Sequence, residues 1–375
     1  MAGLSQGVVQ SHPKQHEILS GIRRRITSGE YSPGSQLPPM TELTRQFSAC
    51  TMTVQRAMDR LRADGFIFSR RREGNYVSAA PPSLCRIGLV FNLPPSADGQ
   101  WSQYYRAWQA EAGRFNARES SLGGSKRSFS FHSPAGSGKD ELEAAVESGC
   151  MAGLIFTMHP SHWSNSPILT KPGIPRVTIV SLPVDRIPTI TFDSRALLAK
   201  GLDWFAANGR RRVAFIIGSS ASHADELIAA VAARGMITHR HWVQGVDVGH
   251  PHWAATCAET LARLKAAERP DALLVEDDNF LPPASRGLLA AGIRVPQDIL
   301  LAAHCNFPYP TPSLVPVKRF GNDVSDLLEL SVSMIFRQHS GQAVPEFTVM
   351  PAHSDDDDRY ANLRTSDLQD ASPIS

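Results

Sequence analysis

The 375-residue sequence lacks the features that mark membrane proteins and disulfide-rich secreted proteins. No run of about 18 apolar residues occurs, so no spanning helix is predicted. The N-terminal segment MAGLSQGVVQSHPKQ has neither the basic start nor the apolar centre of a secretion signal. The five cysteines are odd in number and form no CxxC pair, which argues against a disulfide framework and a cysteine-rich zinc site. We therefore expect a cytoplasmic protein with no membrane partner.

Motifs of catalysis and metal binding are also missing. The sequence contains no GxSxG, and the glycines and lysine of residues 136–139 lack the spacing of a phosphate loop. The histidine pairs at 239–241 and 250–252 do not match a helical zinc motif, so ordinary surface histidines are predicted there. The sequence thus predicts no enzyme, no cofactor and no metal site.

The charge that is present is unevenly placed. Residues 13–78 carry eleven Lys and Arg against six Asp and Glu, a net charge of +5. The whole chain is only +2, so the remainder is −3. A small basic module on a mildly acidic body suits polyanion binding, because captured phosphates release counterions.

Residues 13–78 have the pattern of three helices and a hairpin. Ile18, Ile22 and Ile26 recur every four residues and predict a helix from residue 13 to about residue 29. Further helices are predicted at 40–47 and 51–63. Two short strands at 66–69 and 75–78 flank a basic turn. This order predicts a winged helix-turn-helix of the α+β class, preceded by a flexible lead at residues 1–12.

Beyond a proline-stiffened linker at residues 79–84, strands and helices alternate. Strands are predicted at 86–92, 128–132, 153–157, 176–181, 189–192, 212–218, 242–248, 271–277 and 298–304. Helices are predicted at 103–117, 139–148, 194–208, 223–235, 253–267, 283–291 and 322–338. Regular alternation favours parallel sheets covered on both faces, and nine strands suit two sheets. Residues 351–375, which include four consecutive aspartates, are predicted to be a disordered, solubilising tail.

Residues 13–78 resemble the winged-helix domain of the GntR family of bacterial regulators. The matching residues are Tyr31, Pro33, Gly34, Leu37, Pro38, Glu42, Leu43, Thr53, Val54, Ala57, Asp64, Gly65, Gly74, Asn75, Tyr76 and Val77. A third helix in this position can enter a major groove, and the wing can contact the backbone or minor groove. The predicted DNA-binding residues are Thr51, Met52, Thr53, Gln55, Arg56, Arg70, Arg71, Arg72, Gly74 and Asn75.

Two of these residues have a specific predicted role. Gln55 suits adenine, and Arg56 suits a phosphate or guanine. Thr41, Thr51 and Gln55 stand where the family often has arginines, so the operator sequence cannot be transferred from relatives. The alternative is a winged helix that docks a protein and exposes its arginines to solvent.

Residues 85–350 resemble the ligand-binding core of the LacI family, which is built like a periplasmic sugar-binding protein. The matching segments are RIGLV (86–90), TFD (191–193), NGRRRVAFIIG (208–218), PDALLV (270–275), GIRVPQDI (292–299) and PSL (312–314). The resemblance implies two α/β lobes with a hinge and a cleft. The predicted fold class is therefore multidomain, an α+β winged helix-turn-helix followed by a two-lobed, periplasmic-binding-protein-like α/β domain that also dimerises.

Ligands of open α/β sheets sit beyond the carboxyl ends of the strands. A sugar further needs acids and amides for its hydroxyls and an aromatic face for stacking. The predicted effector-binding residues are Asn92, Trp101, Tyr104, Thr157, Asp193, Ser219, Glu276, Asp277, Asp278, Asn279, Cys305 and Asn306.

Two departures from the LacI pattern leave the effector open. His304, Cys305 and Asn306 occupy a segment where relatives often have an aspartate, and residues 222–225 lack their frequent arginine. One hypothesis is a homodimeric regulator of a palindromic operator in double-stranded DNA, a repressor or less often an activator, controlled by a sugar-like molecule. The other is a regulator with a degenerate cleft that is constitutive or controlled by a protein partner.

Overall fold

The computed structural model describes residues 13–91, 102–121, 127–134, 138–219, 223–360 and 363. The chain divides into two compact units. Unit 1 comprises Met1–Pro94, Arg114–Thr189 and Ser333–Glu346, and unit 2 comprises Pro95–Gly113, Ile190–Val332 and Phe347–Ser375. Among the described residues, no helix combines the length and the apolarity that crossing a membrane requires.

Unit 1 begins with the predicted winged helix-turn-helix. Its helices are α1 (Pro13–Thr27), α2 (Met40–Phe47) and α3 (Thr51–Ala63), and its wing pairs β1 (Ile67–Arg70) with β2 (Gly74–Val77) antiparallel. Its core is a single apolar cluster that includes Ile18, Ile22, Ile26, Leu43, Val54, Met58, Leu61 and Phe66. Each of these is 0% exposed, and burying one isoleucine contributes roughly 1.5–3 kcal/mol.

The first of two six-stranded sheets has the strand order β13-β7-β6-β5-β3-β4. Its strands are β3 (Arg86–Val90), β4 (Ser128–His132), β5 (Gly153–Phe156), β6 (Arg176–Ile179), β7 (Thr189–Phe192) and β13 (Phe347–Met350). β3 pairs in parallel with β4 and β5, and β5 pairs in parallel with β6. The chain also forms helices α4 (Pro82–Cys85), α5 (Gln103–Ser121), α6 (Gly138–Glu147), α7 (Pro167–Thr170) and α12 (Val324–His339). Apolar residues of β3 and β5 pack with α6 and α7 in one cluster.

The second sheet lies in unit 2 and has the order β14-β12-β11-β10-β8-β9. Its strands are β8 (Val213–Gly218), β9 (Val243–Val246), β10 (Ala272–Val275), β11 (Leu300–Phe307), β12 (Lys318–Asp323) and β14 (His353–Ser354). All described pairings are parallel except that of β14 with β12.

Helices α8 (Ser194–Ala207), α9 (Ala224–Ala232), α10 (Trp253–Ala262) and α11 (Leu281–Ala290) cover both faces of the second sheet. Ala214 and Ile216 join one cluster with α10 and α11, whereas Val213 and Phe215 join another with α8 and α9. Alternate residues of a strand point to opposite faces, so two apolar layers form. The predicted α/β architecture with two sheets is confirmed.

The segment predicted as a simple linker is built into unit 1. Residues 82–85 form α4, and Pro81, Ser83 and Cys85 are buried. The Sγ atom of Cys85 lies 3.3 Å from the carbonyl oxygen of Ala80. A proline before a short helical turn therefore fixes the path of the chain here.

The prediction of a disordered tail from residue 351 is wrong for residues 351–360. β14 pairs with β12, and the Tyr360 ring stacks on Phe307 with centroids 4.2 Å apart. The Tyr360 hydroxyl donates to Asp323 Oδ2 at 2.5 Å. Arg359 forms two hydrogen bonds to Asp326, of 2.7 and 2.9 Å. This segment is ordered because its polar side chains have buried partners.

The aspartates of the same segment are ion-paired rather than merely solubilising. Lys318, whose side chain is 9% exposed, pairs with Asp355 at 2.5 Å and also with Asp356. Asp357 Oδ2 lies 3.0 Å from His353 Nδ1. The acidic run therefore neutralises a buried lysine of the neighbouring strand.

Candidate DNA-binding face and effector site

The helix α3 separates its residues into a buried face and an exposed face. Val54, Ala57, Met58 and Leu61 enter the core. The predicted DNA-binding residues Thr51, Met52, Gln55 and Arg56 are exposed, Met52 by 65%, and Thr53 is half-buried. Helical periodicity thus places the predicted residues on one accessible face near the helix N-terminus.

Some polar residues on the exposed side of α3 have hydrogen-bonded or ion-paired partners among the described residues, and others do not. Gln55 Nε2 donates to Asp59 Oδ1 at 2.9 Å, and Arg62 Nη1 donates to the same atom at 2.8 Å. The hydrogen bonds from Arg62 and Gln55 lower the pKa of Asp59. Arg60 pairs with Asp64 at 3.0 Å. Arg56 is exposed and forms no ion pair with a described residue, so its guanidinium is available for a phosphate or a base.

All three arginines of the wing are exposed, but only Arg70 contacts the aromatic rings of the hairpin. The Arg70 guanidinium lies 4.5 Å from the Tyr76 ring centroid and 5.6 Å from that of Phe68, and the two rings stack. Arg71 and Arg72 are exposed at the tip and form no ion pair within the described part of the chain. The stacked Arg70 therefore stiffens the hairpin, whereas the tip cations face solvent.

Gly74 and Asn75, also predicted to bind DNA, have structural roles in the wing. Gly74 has a φ of +117°, and a Cβ there would lie 3.1 Å from Gln36 Nε2. Asn75 Oδ1 accepts a hydrogen bond of 2.7 Å from the Ser69 hydroxyl across the hairpin. A DNA contact of either residue stays a prediction.

The carboxyl edge of the second sheet brings several predicted effector residues together. Glu276 follows β10, and its Oε2 lies 2.8 Å from Nε2 of His223, the residue before α9. Burial raises the pKa of Glu276, and the nearby His223 and His304 oppose that shift. The carboxylate and the imidazole are both partly exposed, which makes them accessible to a ligand.

Asp278 lies deeper at the same edge and is 2% exposed. Its Oδ2 accepts hydrogen bonds from Asn306 Nδ2 at 2.8 Å and from the Thr311 hydroxyl at 3.2 Å. Burial raises the pKa of Asp278, whereas His304 and the two hydrogen bonds lower it. The loops after β10 and β11 are thereby joined through one carboxyl group.

Asp277 and Asn279 shape the loop between these two acids. Asn279 donates from its backbone N at 2.8 Å and from its Nδ2 at 2.7 Å to Asp277 Oδ1. Asn279 Oδ1 accepts from the backbone N of Gln103 at 2.8 Å. Tyr104, the next residue of α5, packs edge-on against Trp108, and burial raises its pKa. Tyr104 and the acidic loop therefore belong to the same region of unit 2.

Other predicted effector residues have structural partners. The Thr157 hydroxyl, in unit 1, donates to the Val90 carbonyl at 3.0 Å. Asp193 caps α8 by accepting from Ala196 N at 2.8 Å. Cys305 is buried in a small cluster with Phe307 and Tyr360. For these three residues an effector contact remains a prediction.

The last three predicted effector residues are Ser219, Asn92 and Trp101. Ser219 is exposed after β8, and its backbone N donates to the Val246 carbonyl. Asn92 and Trp101 lie outside the described residues.

Comparisons with known proteins match both halves of the chain. The family described as bacterial regulatory proteins of the gntR family matches residues 14–77, and the periplasmic binding protein-like domain matches residues 202–361. An uncharacterised HTH-type transcriptional regulator of Streptomyces coelicolor is 32% identical over 77 residues, 20% of this chain and 28% of that protein. The HTH-type transcriptional repressor NagR of Bacillus subtilis is 28% identical over 78 residues, 21% of this chain and 32% of NagR. The chain thus matches about a third of the length of these curated relatives.

The structural comparison covers the remaining part. A LacI family transcriptional regulator from Lactobacillus casei, solved with bound sucrose, aligns with a TM-score of 0.54 and 15% identity, over 72% of this chain and 97% of that chain. The chain joins a GntR-type helix-turn-helix domain to a LacI-type periplasmic-binding fold. These relatives and structural neighbours are described as transcription regulators.

Several partners of the acidic loop 276–279 were not predicted from the sequence. His223 and His304 lie in the segments 222–225 and 304–306 that depart from the LacI pattern, so their positions, though not their contacts, carried a signal. Thr311 lies in the loop beyond β11, and only the folded structure brings its hydroxyl to Asp278. Asn322 of β12, 3.5 Å from His304 Nε2, was likewise not predicted.

The carboxyl edge of the second sheet has a distinct charge. No described Lys or Arg side chain bonds to Glu276, Asp277 or Asp278, and the nearby groups that oppose their charge are the two histidines. Within the described ranges, no three His, Cys, Asp or Glu side chains are arranged to hold a metal ion.

Proposed function

We propose that this chain is a transcription regulator whose winged helix binds operator DNA and whose LacI-type half binds a sugar-like effector. The observation that carries the proposal is the pairing of two features in one chain. Arg56, Arg71 and Arg72 are exposed on α3 and the wing of a GntR-type domain, and the LacI-type fold presents a polar strand edge.

We propose that the chain binds a palindromic operator as a homodimer. A winged helix reads about one half-site, and two-fold symmetry sets the spacing between the half-sites. Binding to the chromosome implies a cytoplasmic protein. Repression relieved by the effector is the sign of control that we propose.

The effector side rests on hydrogen-bonding chemistry. Carboxylates accept hydrogen bonds from hydroxyl groups, and the amides at this edge can both donate and accept. Glu276, Asp278 and Asn306 supply these groups without a bonded lysine or arginine. A neutral polyhydroxy compound therefore fits better than a phosphorylated or carboxylated one, because an anion would meet uncompensated carboxylates.

A thermal-shift screen of the full chain tests the effector. Neutral sugars and polyols are compared with the matching sugar phosphates and sugar acids. A ligand at about a hundred times its Kd adds roughly 2.7 kcal/mol to the free energy of unfolding, which gives a visible rise in Tm. We expect a neutral compound to raise the Tm. A rise with the phosphorylated compound alone would contradict the proposed chemistry.

Operator binding is then measured with and without the compound that raises the Tm. Because coupling between sites is reciprocal, the effector must change operator affinity by the same factor by which the operator changes effector affinity. Equal effector affinity with and without operator would contradict ligand control.

The wing supplies a separate test of DNA binding. Replacing Arg71→Ala and Arg72→Ala together removes two exposed cations, which should weaken binding to all DNA sequences. Each lost phosphate contact reduces the slope of log K against log salt by about 0.9, so the slope should fall by up to about 1.8. The control is Arg45→Ala, since Arg45 is engaged by Glu42 at 2.8 Å. An unchanged slope would show that the wing tip does not contact phosphates.

A specific observation favours a second candidate, a regulator without a small-molecule effector. Asp278 is already bonded to Asn306 and Thr311, and Glu276 to His223. Polar groups that satisfy one another do not need a ligand. No Tm rise with any sugar, polyol or metabolite, together with intact operator binding, would support this candidate.

A further inference from the structure

The core of the winged helix in unit 1 includes one residue from far along the chain. Cys150 lies between α6 and β5, yet it belongs to the apolar cluster formed by α1, α2 and α3. Cys150 is 8% exposed, and Leu19 and Arg23 of α1 are 6% and 7% exposed. A residue that precedes β5 therefore packs into the core of the winged helix.

The connection between the winged helix and the first sheet is equally packed. α1 contacts α4, and a Cβ on Gly65, which follows α3, would lie 3.8 Å from Pro82 Cγ. Ser83 and Cys85 of α4 are 3% and 8% exposed. The chain between the two parts is thus folded back against the winged helix instead of extending as a tether.

The charged residues near this contact, Arg23 and Lys171, each have a polar partner. Arg23 pairs with Asp64, which also pairs with Arg60 at 3.0 Å, and the Arg23 guanidinium lies 5.0 Å from the Phe66 ring centroid. Lys171, which precedes β6, donates to the Glu147 carbonyl at 2.6 Å. Burial lowers the pKa of Lys171, and the positive charge of Arg23 lowers it further against the opposing effect of Glu147. Asp64 therefore neutralises Arg23, the α1 cation whose charge acts on Lys171.

The loop that carries Lys171 is itself rigid. The Arg176 side chain donates to the carbonyls of Ile168 at 2.7 Å and of Ile174 and Lys171 at 2.8 Å. Lys171 precedes β6 and Cys150 precedes β5, two parallel neighbours, so both contacts come from the amino-end edge of the first sheet. That edge presents a formed surface instead of mobile loops.

We infer that residues 147–150 and Lys171 form a docking surface for the chain's own winged helix, so that the DNA-binding domain and strands β3–β6 of unit 1 move as one body. The DNA-reading helix α3 is then oriented by the first sheet and not by a flexible linker. The regulatory consequence, which rests on the proposed function, is that any effector-driven reorientation of unit 1 carries α3 with it.

Rotational motion of the winged helix tests the docking. Cys50 precedes α3 and is exposed, so a maleimide fluorophore attached there reports how the domain tumbles. Cys257→Ser removes the partly exposed cysteine that would compete for the label. For this full chain we expect one slow component in the decay of fluorescence anisotropy, as for a single body. A fast component of intermediate size, typical of a tethered domain, would overturn the inference.

Two substitutions at Cys150 give a matched comparison. Cys150→Arg inserts a long cation into the contact and should create the fast component, whereas Cys150→Ser should retain the single slow component. Unchanged tumbling of Cys150→Arg, with circular dichroism showing a folded chain, would contradict a contact at this residue. If Cys150→Arg does not fold, the decay of the Cys257→Ser chain still decides the question.

Operator affinity measured on the unlabelled variants separates docking from regulation. In Cys150→Arg the effector should no longer change operator affinity, so the ratio of the two Kd values falls to about 1, while Cys150→Ser keeps the response. Suppose that the anisotropy decay has a single slow component but no effector changes the operator affinity of the natural chain. The docking would then stand, and only the proposed function would be contradicted. If the winged helix of Cys150→Arg tumbles freely and the effector still changes the operator affinity of this variant, the contact does not couple the two sites.

Discussion

The two six-stranded sheets share one strand order, but the carboxyl edges of their strands are chemically different. In the described part of the first edge, Thr157 bonds to a backbone carbonyl, and the buried His132 has its Nε2 2.8 Å from the Ser130 hydroxyl. The second edge carries Glu276, Asp277 and Asp278 with two histidines. The shared topology positions both edges, and only the residues after the strands decide which edge can recognise a ligand.

The largest expected difference between the two edges is in their response to acid. Burial, together with the positive charge of Arg86, lowers the pKa of His132 at the end of β4 to about 4. The unfolded chain takes up a proton near pH 6.5, and the folded one does not until near pH 4. The unfolded state therefore binds more protons in this window, and stability falls as pH falls from about 6.5 to 4, by at most about 3 kcal/mol.

Urea unfolding at pH 7 and at pH 4.5 measures this loss. His132→Gln keeps a polar side chain that does not titrate, so its stability should fall less between the two pH values. An equal loss in the variant and in the natural chain would show that other groups dominate acid sensitivity, and the contrast between the edges would then have a different origin.

The next largest effect is expected from the buried acid of the second edge. Asn306→Leu removes the donor at 2.8 Å from Asp278 and leaves the carboxyl group with one fewer partner in a site that is 2% exposed. Leaving a buried polar group unsatisfied costs about 1–3 kcal/mol, more when it is charged. The free energy of unfolding at pH 7 should fall by about that amount. Asn322→Leu is the control, because its contact with His304 is long, at 3.5 Å.

If Asn306→Leu were as stable as the natural chain, Asp278 would be held by other groups or protonated at neutral pH. Repeating the measurement at pH 9 separates these cases: because burial raises the pKa of Asp278, an acid that was protonated at pH 7 would ionise and need its donor, whereas an acid held by other groups would still show no deficit. The variant's deficit should shrink as pH falls.

Local periodicity made most of the fold predictable from the sequence. The helix at 103–117 was predicted close to its observed range of Gln103–Ser121, and the strand at 86–92 close to Arg86–Val90. Such elements show their amphipathic or apolar pattern within a single window. The predicted loop at 276–279 followed from the rule that parallel sheets bind ligands beyond their strand ends.

Elements that depend on distant partners were not predictable. The strand β12 begins with Lys318 and Arg319, which look like surface residues until Asp355 is brought beside them. Gly321 in the same strand has no local signal, yet a Cβ there would lie 1.7 Å from the Cys305 carbonyl oxygen. The contacts of His223 and Thr311 with the acidic loop likewise require the folded sheet.

The smallest and most selective test applies one substitution to both edges. Thr157 and Thr311 are each 3% exposed, and each hydroxyl donates one hydrogen bond, to the Val90 carbonyl and to the Asp278 carboxyl group respectively. Valine preserves their shape and removes the donor. A neutral hydrogen bond contributes about 0.5–1.5 kcal/mol and one to a charged group about 1.5–3 kcal/mol. Thr311→Val should therefore be the more destabilising variant in urea unfolding.

Effector affinity can be compared in the same two variants. Thr157→Val should leave the Kd of an effector found by thermal shift unchanged, because its hydroxyl is committed to the backbone of β3. Thr311→Val should weaken that effector, since Asp278 loses a partner that fixes its orientation, and isothermal titration would record the difference. Equal losses of affinity in both variants would mean that both edges contact the ligand and that acidic residues are not what distinguishes them. If only Thr157→Val weakened effector binding, the effector site would lie at the first sheet, and the acids of the second sheet would have a structural role.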